Sequence, residues 1–473
     1  MTHNLLAVDL GASNGRVMLG RLAGHKLGLE LVHRFEHQIR FVDGHKRWDW
    51  ETIRQQTRTG LAKACDLLGD APITGISCDS WAQDFGLLDG QGQLLYSPVS
   101  YRDPRCAKVP EALFEELSPE ELVSRVGVGL TPITSLCQLF TMSREEPEVL
   151  AQAATFLHIA DLMHYDLCGQ VATDWTMASA NQLLNLETRG WDTALLDQLG
   201  IPHHFLPPMY EEPGALGRIP AERAPHPKLE GVPVIISASH DTPAASAASG
   251  PFGEHTLFFS AGTYAMLGYV SDMPIVTRAA IREGCALVGL SDHRWGLFTD
   301  TPGLWILQEC LRLWKEAGQN LDYGALVDLA EEATIDARIP ATDKRFRAPE
   351  NMLDEIRAAC VDAGYRAPET PGETTRVVLD SLIDGYQHSK EALERVTGQT
   401  FEAMHIVSGG SLNRYLCRES AHRLGLPVIA GPAEATVIGN LLLQARVLNL
   451  LPSDEAVAEM MAASFPKKRY EVQ

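Results

Sequence analysis

The chain has 473 residues, of which 45% are hydrophobic and 21% charged, and 61 acidic against 40 basic residues give a formal net charge of −21. Such a length exceeds the roughly 250–300 residues that one core usually supports, so at least two domains are predicted, and the composition excludes a disordered chain. An acidic surface repels phosphate backbones and anionic lipids, so neither nucleic acid nor a membrane surface is an expected partner.

The cysteines and the N-terminal residues indicate the compartment. Nine cysteines are scattered without a CxxC pair, which argues against a zinc site and against a secreted disulfide framework. Asp9 interrupts the first apolar run, Leu5–Leu10, and no basic segment precedes it, so no signal peptide is predicted. The chain lacks a stretch long and apolar enough to span a membrane, and we expect a cytoplasmic protein.

The first elements alternate between strand and helix patterns. Three extended runs separated by glycine-containing turns, beginning with Leu5–Leu10, predict an antiparallel meander. The spacing of apolar residues from Trp50 to Leu68 predicts a helix that ends at Gly69, and Ile73–Ser80 is typical of a short buried strand. Strands followed by alternating helices and strands predict an α/β class.

The middle of the chain continues this alternation. The sequence predicts helices around Glu111–Arg125, Ser135–Thr141 and His158–Cys168, a proline- and glycine-rich loop from about Gly200 to Pro233, and a buried strand at Val234–Ser239.

The second half begins in the manner of the first. Thr256–Gly262 and Tyr264–Val270 repeat the order strand, small-residue turn, strand, at a period too long for a solenoid. A duplicated domain would give each copy a hairpin facing a shared cleft, although strand–turn–strand is also common in unrelated proteins. The turn-forming segment Gly250–Glu254 places the boundary nearby, and the predicted domains are 1–245 and 246–473.

The turn after the first strand, DLGASNGR at residues 9–16, has the composition of a phosphate-binding turn. Gly11 and Gly15 are expected to allow positive φ and close approach of a ligand, and successive N–H groups can form an anion-binding nest. Arg16 could contact phosphate, and Asp9 could hold Mg²⁺ through water. The alternative is an ordinary glycine-rich hairpin. Neither a GxxxxGK[ST] P-loop nor a GxGxxG fingerprint is present.

Two later turns have the composition of segments that bind phosphate or nucleotide. In the hairpin at Ser260–Thr263, Thr263 offers a hydroxyl and an amide to terminal phosphates. His405–Leu416 is typical of a strand, a Gly-Gly turn and a helix, in which Gly409 and Gly410 leave room for a ring or a phosphate at a helix N-terminus. A βα turn that merely needs glycine is the alternative.

Asp241 is the predicted catalytic base. It lies in Ser239–Pro243, where a buried strand should end, and such loops carry ligand chemistry in α/β sheets. Phosphoryl transfer to a hydroxyl needs an acceptor for the proton, which a carboxylate supplies. Asp241 could instead be the N-cap of the following helix, and the two roles are compatible.

Two further loops combine aromatic and polar side chains, as sugar pockets require. These are Cys78–Phe85, around Trp81, and Tyr101–Arg105. The alternatives are core packing of Trp81 and a surface ion pair between Asp103 and Arg105.

Together these motifs resemble the FGGY family of carbohydrate kinases, in order and from about residue 5 to residue 443. The stretches that carry the resemblance are AVDLGASNGRVMLG, the segment Asp79–Asp89, SYRDPR, ASHDTPAA, FFSAGTYAMLG, GLWILQ and HIVSGGSLNRYLCRESAHRLGLPVIAGPAEATVIGN. The resemblance implies two RNase-H-like α/β domains of the actin/hexokinase type, with Mg²⁺-dependent transfer from ATP to a small ketose in the interdomain cleft.

The family's functional positions carry over by motif. The resemblance implies that Asp241 is the proton acceptor and that Asp9 holds Mg²⁺ through water. It implies a sugar site of Trp81, Ala82, His240, Asp241 and Thr242, and an ATP site of Ala12, Ser13, Asn14, Gly15, Arg16, Thr263, Asp300, Gln308 and Gly410.

Within the family the chain is most similar to the branch that phosphorylates L-rhamnulose at its C1 hydroxyl. That branch usually has glycine and valine where this chain has Ala82 and Gln83, and asparagine in place of Asp300. The first departure leaves L-fuculose, ribulose or a branched ketose such as apulose as alternative substrates. A non-catalytic sugar or nucleotide sensor on the same fold is a further alternative.

Overall fold

A computed structural model describes residues 2–250, 253–347 and 349–472. Pro251 and Phe252, part of the predicted boundary segment, lie outside the described residues. The first half contains β1 (Thr2–Leu10), β2 (Asn14–Ala23), β3 (Lys26–Glu36), β4 (Ile39–Val42), β5 (His45–Trp48), α1 (Trp50–Leu68), β6 (Ile73–Ser80), β7 (Phe85–Leu88), α2 (Val109–Glu116), α3 (Pro119–Val126), α4 (Ser135–Glu145), α5 (Pro147–Gln152), β8 (Thr155–His158), α6 (Ile159–Cys168), β9 (Thr173–Asp174), α7 (Trp175–Ala180), α8 (Thr193–Gln198), β10 (Met209–Tyr210), β11 (Gly214–Arg218), β12 (Pro233–Ile236) and α9 (Asp241–Ala247).

The second half contains β13 (Thr256–Ala261), β14 (Ala265–Ser271), α10 (Arg278–Arg282), β15 (Ala286–Gly289), β16 (Trp295–Thr301), α11 (Trp305–Glu316), α12 (Tyr323–Glu332), α13 (Met352–Asp362), α14 (Pro371–Thr397), β17 (Ala403–Val407), α15 (Arg414–Leu424), β18 (Val428–Ala430), α16 (Ala435–Val447), α17 (Asp454–Ser464) and β19 (Lys468–Tyr470).

The two halves are built on sheets of the same topology. The first sheet has the order β11-β12-β6-β1-β2-β3 and the second β15-β16-β14-β13-β17-β18-β19. In each, an antiparallel hairpin begins the domain, and the first strand of the hairpin pairs in parallel with a second strand. That second strand pairs in parallel with a third, and an antiparallel strand closes the edge, while the second sheet has β15 as an additional strand at its other edge. The predicted α/β class and the meander β1–β3 are confirmed. The repeated strand order agrees with the predicted duplication, which stays a prediction.

Helix α1 shows how local signals set an element. Asp49 is its N-cap and accepts hydrogen bonds from the Thr52 amide at 3.4 Å and hydroxyl at 2.7 Å, while Gly69 ends it with φ of +51°. Its apolar face, including Ile53 and Leu61, is buried against the first sheet, which stabilises a helix more than propensity does. The predicted helix and its end at Gly69 are confirmed.

Two predictions in the middle of the chain were wrong. The helix expected around Glu111–Arg125 is two helices, α2 and α3, because Ser118 caps a new helix that begins at Pro119, and proline is disfavoured within a helix but tolerated at its first position. The loop expected from Gly200 to Pro233 contains β11, which pairs antiparallel with β12. Sheet pairing overrides the weak strand preference of the sequence GALGR.

Helix α16 joins the halves. It belongs to the second half of the chain but packs on α9, β1 and β6 of the first. Gly439 lets the two helices approach, because a Cβ there would collide with the Ala244 carbonyl oxygen. The predicted boundary after residue 245 falls within α9, and the division into 1–245 and 246–473 stays a prediction.

All nine cysteines are free and buried in this structure. Among the described residues, none of the helices combines the length and the apolar character required to cross a bilayer.

Candidate active site

Three aspartates meet at one edge of the first sheet. Asp9 is the penultimate residue of β1 and pairs in the parallel register with Asp79 of β6. Ser80 forms a β-bridge with His240, which directly precedes Asp241. Because β1, β6 and β12 run in the same direction, their carboxyl ends lie at one edge of the sheet, where ligands bind in open α/β sheets.

Asp241 occupies the N-terminus of α9. It is the first residue of the helix and His240 is the N-cap, so the N-cap interpretation of Asp241 was wrong by one residue. Its side chain is 34% exposed, and the Thr242 hydroxyl donates to Oδ1 at 3.2 Å. Desolvation and, secondly, the charge of Asp9 raise the pKa of Asp241 to about 7. A carboxylate with this pKa is poised to exchange a proton near neutral pH.

The residues beside Asp241 are neutral and held in place. Burial lowers the pKa of His240 to about 3, so its Nε2, 3.4 Å from the Asp241 carboxylate, carries no charge at neutral pH. The hydroxyl of Thr242 also contacts Met266 Sδ of β14 at 3.6 Å. Asp174 accepts from the Ser239 amide at 2.7 Å and so anchors the loop.

The Asp9 carboxylate is paired with Arg16. Arg16 donates to its Oδ2 from Nε at 2.8 Å and from Nη2 at 2.7 Å, while Nη1 pairs with Glu434 of the second half at 2.5 Å. The Arg16 guanidinium therefore lies between two carboxylates, which together raise its pKa against the opposing effect of burial.

Asp79 was not recognised from the sequence as a site residue. It is fully buried, and burial together with the charge of Asp9 raises its pKa well above the usual range. Asn440 of α16 donates to Oδ2 at 2.6 Å, whereas Oδ1 has no hydrogen-bond partner. The signal available in the sequence was an aspartate at the end of the buried strand Ile73–Ser80. Its contact with Asn440 could not be predicted, because the two residues are 361 positions apart in the chain.

The positive φ predicted for the glycines of the first turn is wrong. Neither Gly11 nor Gly15 has a positive φ. Gly15 is required by packing, since a Cβ would collide with the Phe35 ring and lie 2.9 Å from His37 Nε2. The carbonyl of Ser13 accepts from the His37 amide at 3.1 Å. Ala12 and Ser13 lie in the turn between β1 and β2, Asn14 is the first residue of β2, and all three are half-buried or exposed.

Trp81 lies in an aromatic cluster at the side of the cleft. Its ring is only 4% exposed, 4.5 Å from the Trp48 ring and 5.4 Å from that of His37. Both indole N–H groups donate to Asp84 Oδ2, at 2.6 Å from Trp48 and 3.0 Å from Trp81. Core packing, the alternative considered for Trp81, is therefore present.

The backbone around the two departures is held by side chains. The Ala82 carbonyl accepts from the Asn181 amide at 3.3 Å, and the Gln83 carbonyl from the Ser135 hydroxyl at 2.8 Å. Ala82 is buried and Gln83 half-buried.

The segment Tyr101–Arg105 does not contain the expected ion pair. Asp103 accepts from the backbone amides of Lys46 at 2.7 Å and Arg105 at 3.0 Å, and the Arg105 side chain donates to Gln138 instead. That interpretation was wrong, because Asp103 caps the short 3₁₀ turn Pro104–Cys106.

The second hairpin, β13–β14, is joined to the start of α11. Gly262 and Thr263 accept backbone hydrogen bonds from Leu304 at 2.9 Å and Trp305 at 3.2 Å, which join the hairpin to the start of α11 and its half-buried Gln308. Asp300 is exposed on β16 opposite Met266. Residues directly opposite in an antiparallel pair share a face, so Asp300 lies on the Met266 side, toward Thr242.

The Gly-Gly turn completes the second half of the site. Gly410 packs so tightly that a Cβ would lie 2.5 Å from the Ala261 Cβ, while Gly409 is exposed with open space around it. Ser408, not a glycine, carries the positive φ of +64°. The turn leads into a 3₁₀ segment, Gly409–Leu412, before α15 begins.

The fold thus brings Asp9, Arg16 and Asp241 together, and Thr242 beside them contacts Met266 of the second hairpin. Asp79, Asp84, Glu434 and Asn440 are polar residues of the site that sequence reasoning did not assign. Among the described residues, no three His, Cys, Asp or Glu side chains form a group that could hold a metal ion by themselves.

Comparison with known proteins agrees with this arrangement. Residues 4–248 match the family model for the N-terminal domain of the FGGY family of carbohydrate kinases, and residues 257–448 match that for its C-terminal domain. The chain is 33% identical to a rhamnulokinase of Halalkalibacterium halodurans, covering 98% of each chain, and 34% identical to one of Klebsiella pneumoniae, covering 95% of this chain and 90% of that one. It superposes on the structure of Plasmodium falciparum glycerol kinase with ADP with a TM-score of 0.80 at 15% identity, covering 100% of this chain and 94% of that one.

The paired α/β domains and the cleft between them are those of a sugar kinase. The chain belongs to the FGGY family of carbohydrate kinases. It is an ATP-dependent carbohydrate kinase, and the predicted family and two-domain fold class are confirmed.

Proposed function

We propose that the protein phosphorylates L-rhamnulose at the C1 hydroxyl, with Asp241 as the proton acceptor. The observation that carries this proposal is the position of Asp241, a partly exposed carboxylate at the start of α9 whose neighbour Thr242 contacts Met266 of the second hairpin at 3.6 Å. Its raised pKa supports the same role. The names of the full-length relatives support the sugar.

In the proposed reaction the sugar oxygen forms a bond to the γ-phosphorus of ATP, and the bond from that phosphorus to the bridging oxygen breaks. The hydroxyl proton passes to Asp241, and ADP leaves. Neutral His240 and the Thr242 hydroxyl fix the sugar beside the base, with Trp81 and Ala82 along one side. Closure of the halves would exclude water, the competing acceptor of the phosphoryl group.

Residues of both hairpins would hold the nucleotide. We assign the triphosphate to the turn from Ala12 to Arg16 and to Thr263, with Asp300, Gln308 and Gly410 completing the site. The open space at Gly409, next to the close approach of Gly410 to Ala261, supports a ligand at that turn.

The carboxylates fit a divalent cation. Asp9 and Asp79 both lie close enough to Asp241 to affect its environment, and mutual repulsion contributes to the raised pKa values of Asp79 and Asp241. Asp9 would hold Mg²⁺ through water, the remaining ligands being phosphates and solvent, as magnesium sites commonly are. When bound, the ion would neutralise charge on the phosphates.

A coupled assay of ADP release tests the proposal. With Mg-ATP we expect kcat/KM for L-rhamnulose to exceed the values for L-fuculose, D- and L-ribulose, xylulose and apulose by at least about tenfold, a difference of about 1.4 kcal/mol. Asp241→Asn should bind ATP normally and turn over at least about a hundredfold more slowly. Higher activity on another ketose would contradict the substrate, and normal turnover by Asp241→Asn would contradict the base.

Another ketose is the second candidate, because Ala82 and Gln83 depart from the pattern of the rhamnulose branch. The buried Ala82 methyl lies on a backbone fixed by Asn181, so it cannot easily move aside. If it narrows the pocket, Ala82→Gly should lower the KM for L-rhamnulose and leave the KM for ATP unchanged. A sensor that binds sugar and ATP without turnover would give no ADP in any arm of this assay.

A further inference from the structure

Arg102 is a cation at the mouth of the cleft whose bonds are all to neutral oxygens. Its Nη2 donates to the carbonyl of Ala12, in the first phosphate turn, at 3.3 Å, and its Nε donates to the Tyr101 hydroxyl at 3.2 Å. No Asp or Glu among the described residues forms an ion pair with it. The side chain is exposed on the cleft surface, with its guanidinium 5.9 Å from the Trp48 ring centroid.

Arg16, the arginine that the sequence assigned to phosphate, is in the opposite situation. All three of its guanidinium nitrogens are engaged by carboxylates, two with Asp9 and one with Glu434. Its charge is therefore compensated within the protein. An anionic ligand would gain little from Arg16 and much more from a guanidinium without a counter-ion.

Arg102 also lies where the two hairpins face each other. Tyr264, 63% exposed and directly after Thr263, lies close enough to Tyr101 and Arg102 to raise the pKa of both. The carbonyl of the first turn and the tyrosine of the second thus bracket this guanidinium. A triphosphate held by both turns would present its terminal group near the same point.

We propose that Arg102 is a catalytic residue that contacts the transferring phosphoryl group. It would exchange the Ala12 carbonyl for phosphate oxygens and stabilise the charge spread over them as the bond to the sugar oxygen forms and the bond to ADP breaks. The proton still goes to Asp241, so the arginine changes no atom balance. This assignment rests on the proposed cleft site.

Three variants and one control test it: Arg102→Gln, Arg102→Lys, Arg102→Ala and, as the control, Arg40→Gln, which removes one positive charge from an arginine that is 62% exposed on β4 and paired with Asp49. We expect Arg102→Gln to lower kcat about 10²–10³-fold, in the range for one transition-state donor or arginine, with KM for the ketose changed less than about threefold. Arg102→Lys should recover part of the rate, because it keeps the charge but not the planar fork. Guanidinium added to Arg102→Ala should also restore part of it.

Binding gives a readout besides turnover. In calorimetry with ketose present, Arg102→Gln should bind Mg-ADP like the unaltered protein. It should bind Mg-ADP with aluminium fluoride, which mimics the transferring group, more weakly by about the same factor as kcat/KM falls. Arg40→Gln should change neither quantity.

Two results would overturn the assignment. One is a kcat of Arg102→Gln within about threefold of the unaltered protein, and the other is a rise in ketose KM with binding of the aluminium fluoride complex intact, which would assign Arg102 to the sugar. Asp241→Asn is measured alongside. Normal turnover there with slow Arg102→Gln would reject the proposed base alone, and the reverse pattern would reject Arg102 alone.

Discussion

At the scale of single residues, the chemistry of the cleft depends on charges that the fold leaves uncompensated. Arg16 pairs with Asp9 through two nitrogens. Asp241 has no Lys or Arg partner among the described residues and accepts from the hydroxyl of Thr242 at the start of a short helix. Burial and the charge of Asp9 consequently raise the pKa of Asp241 to about 7. Its ionised form is the form that accepts a proton, so pH should control activity through this group.

Below pH 7 the fraction of ionised Asp241 falls tenfold for each pH unit. We therefore expect log kcat/KM for the sugar to rise with a slope of about one up to pH 7 and to level off above it, since this profile reports groups of the free enzyme. Initial rates from pH 5 to 9 check this, with the coupling enzymes tested separately at each pH. A profile that is flat from pH 5 to 9 would contradict the raised pKa of Asp241.

The same raised pKa predicts a gain in stability when the charge is removed. Because the folded-state pKa of Asp241 lies above its unfolded value, the folded protein binds more protons between about pH 4 and 7 and loses stability as the pH rises through this window. Allowing for partial exposure of the side chain, Asp241→Asn should raise the free energy of unfolding by about 1–2 kcal/mol at pH 8.

Denaturant unfolding at pH 8 and near the acid end of this window measures that difference. We expect it to disappear once Asp241 is protonated in both states. Asp70→Asn, at an exposed position in the turn after α1, serves as the control and should change the free energy of unfolding equally at both pH values. Equal stability of Asp241→Asn and the unaltered protein at pH 8 would contradict the uncompensated charge.

At the scale of elements, the crossing of α9 and α16 fixes how the catalytic loop meets the second half. Gly439 allows this crossing, because a Cβ would collide with the Ala244 carbonyl oxygen. The Ala244 carbonyl belongs to the backbone of α9 and cannot rotate away, as the end of a flexible side chain could. The helix that begins with Asp241 must shift if α16 is pushed away.

Gly439→Ala should therefore destabilise the protein by about 1–3 kcal/mol, the usual effect of overpacking, although alanine favours a helix. We also expect kcat to fall, since Asp241 moves with α9. Gly324→Ala in α12 is the matched control, because its Cβ would meet only the end of the Asp322 side chain at 3.3 Å. Thermal unfolding and initial rates of both variants test this, and equal melting temperatures would show that the crossing relaxes without cost.

At the scale of the whole molecule, polar contacts from α16 connect the halves beneath the cleft. Asn440 donates to Asp79 at 2.6 Å and accepts from Gln444, which also donates to the carbonyl of Leu6 at 3.0 Å. These groups are buried, so each depends on its partner from the other half of the chain.

Asn440→Ala should lower the free energy of unfolding by about 1–3 kcal/mol, because it leaves Asp79 buried without a donor. Asn440→Asp should be worse, since a second carboxylate would face the first. Asn320→Ala, an exposed substitution in the second half, should be neutral. Urea titrations of the three variants measure this. An unchanged midpoint for Asn440→Ala would show that the Asn440–Asp79 hydrogen bond does not contribute to the free energy of unfolding.

The sequence by itself determined the elements whose signals are local. The meander β1–β3, the helix α1 with Asp49 and Gly69 at its ends, and the strand β6 all follow from alternation, helical spacing and caps within a few residues. The same locality applies to the Asp241 loop, since a short polar segment after an apolar strand can be recognised without its neighbours. The family motifs extended this prediction to the second half.

The tertiary structure decided what depends on residues far apart in the chain. The short strand β11 exists because β12 is available to pair with it, and Gly15 is needed because Phe35 and His37 pack beneath it. Arg16 is compensated by Glu434 and Asp79 is joined to Asn440, contacts that no local pattern encodes. Electrostatic interaction depends on distance and burial in the folded protein, so only the assembled cleft distinguishes a compensated arginine from one that is free to bind phosphate.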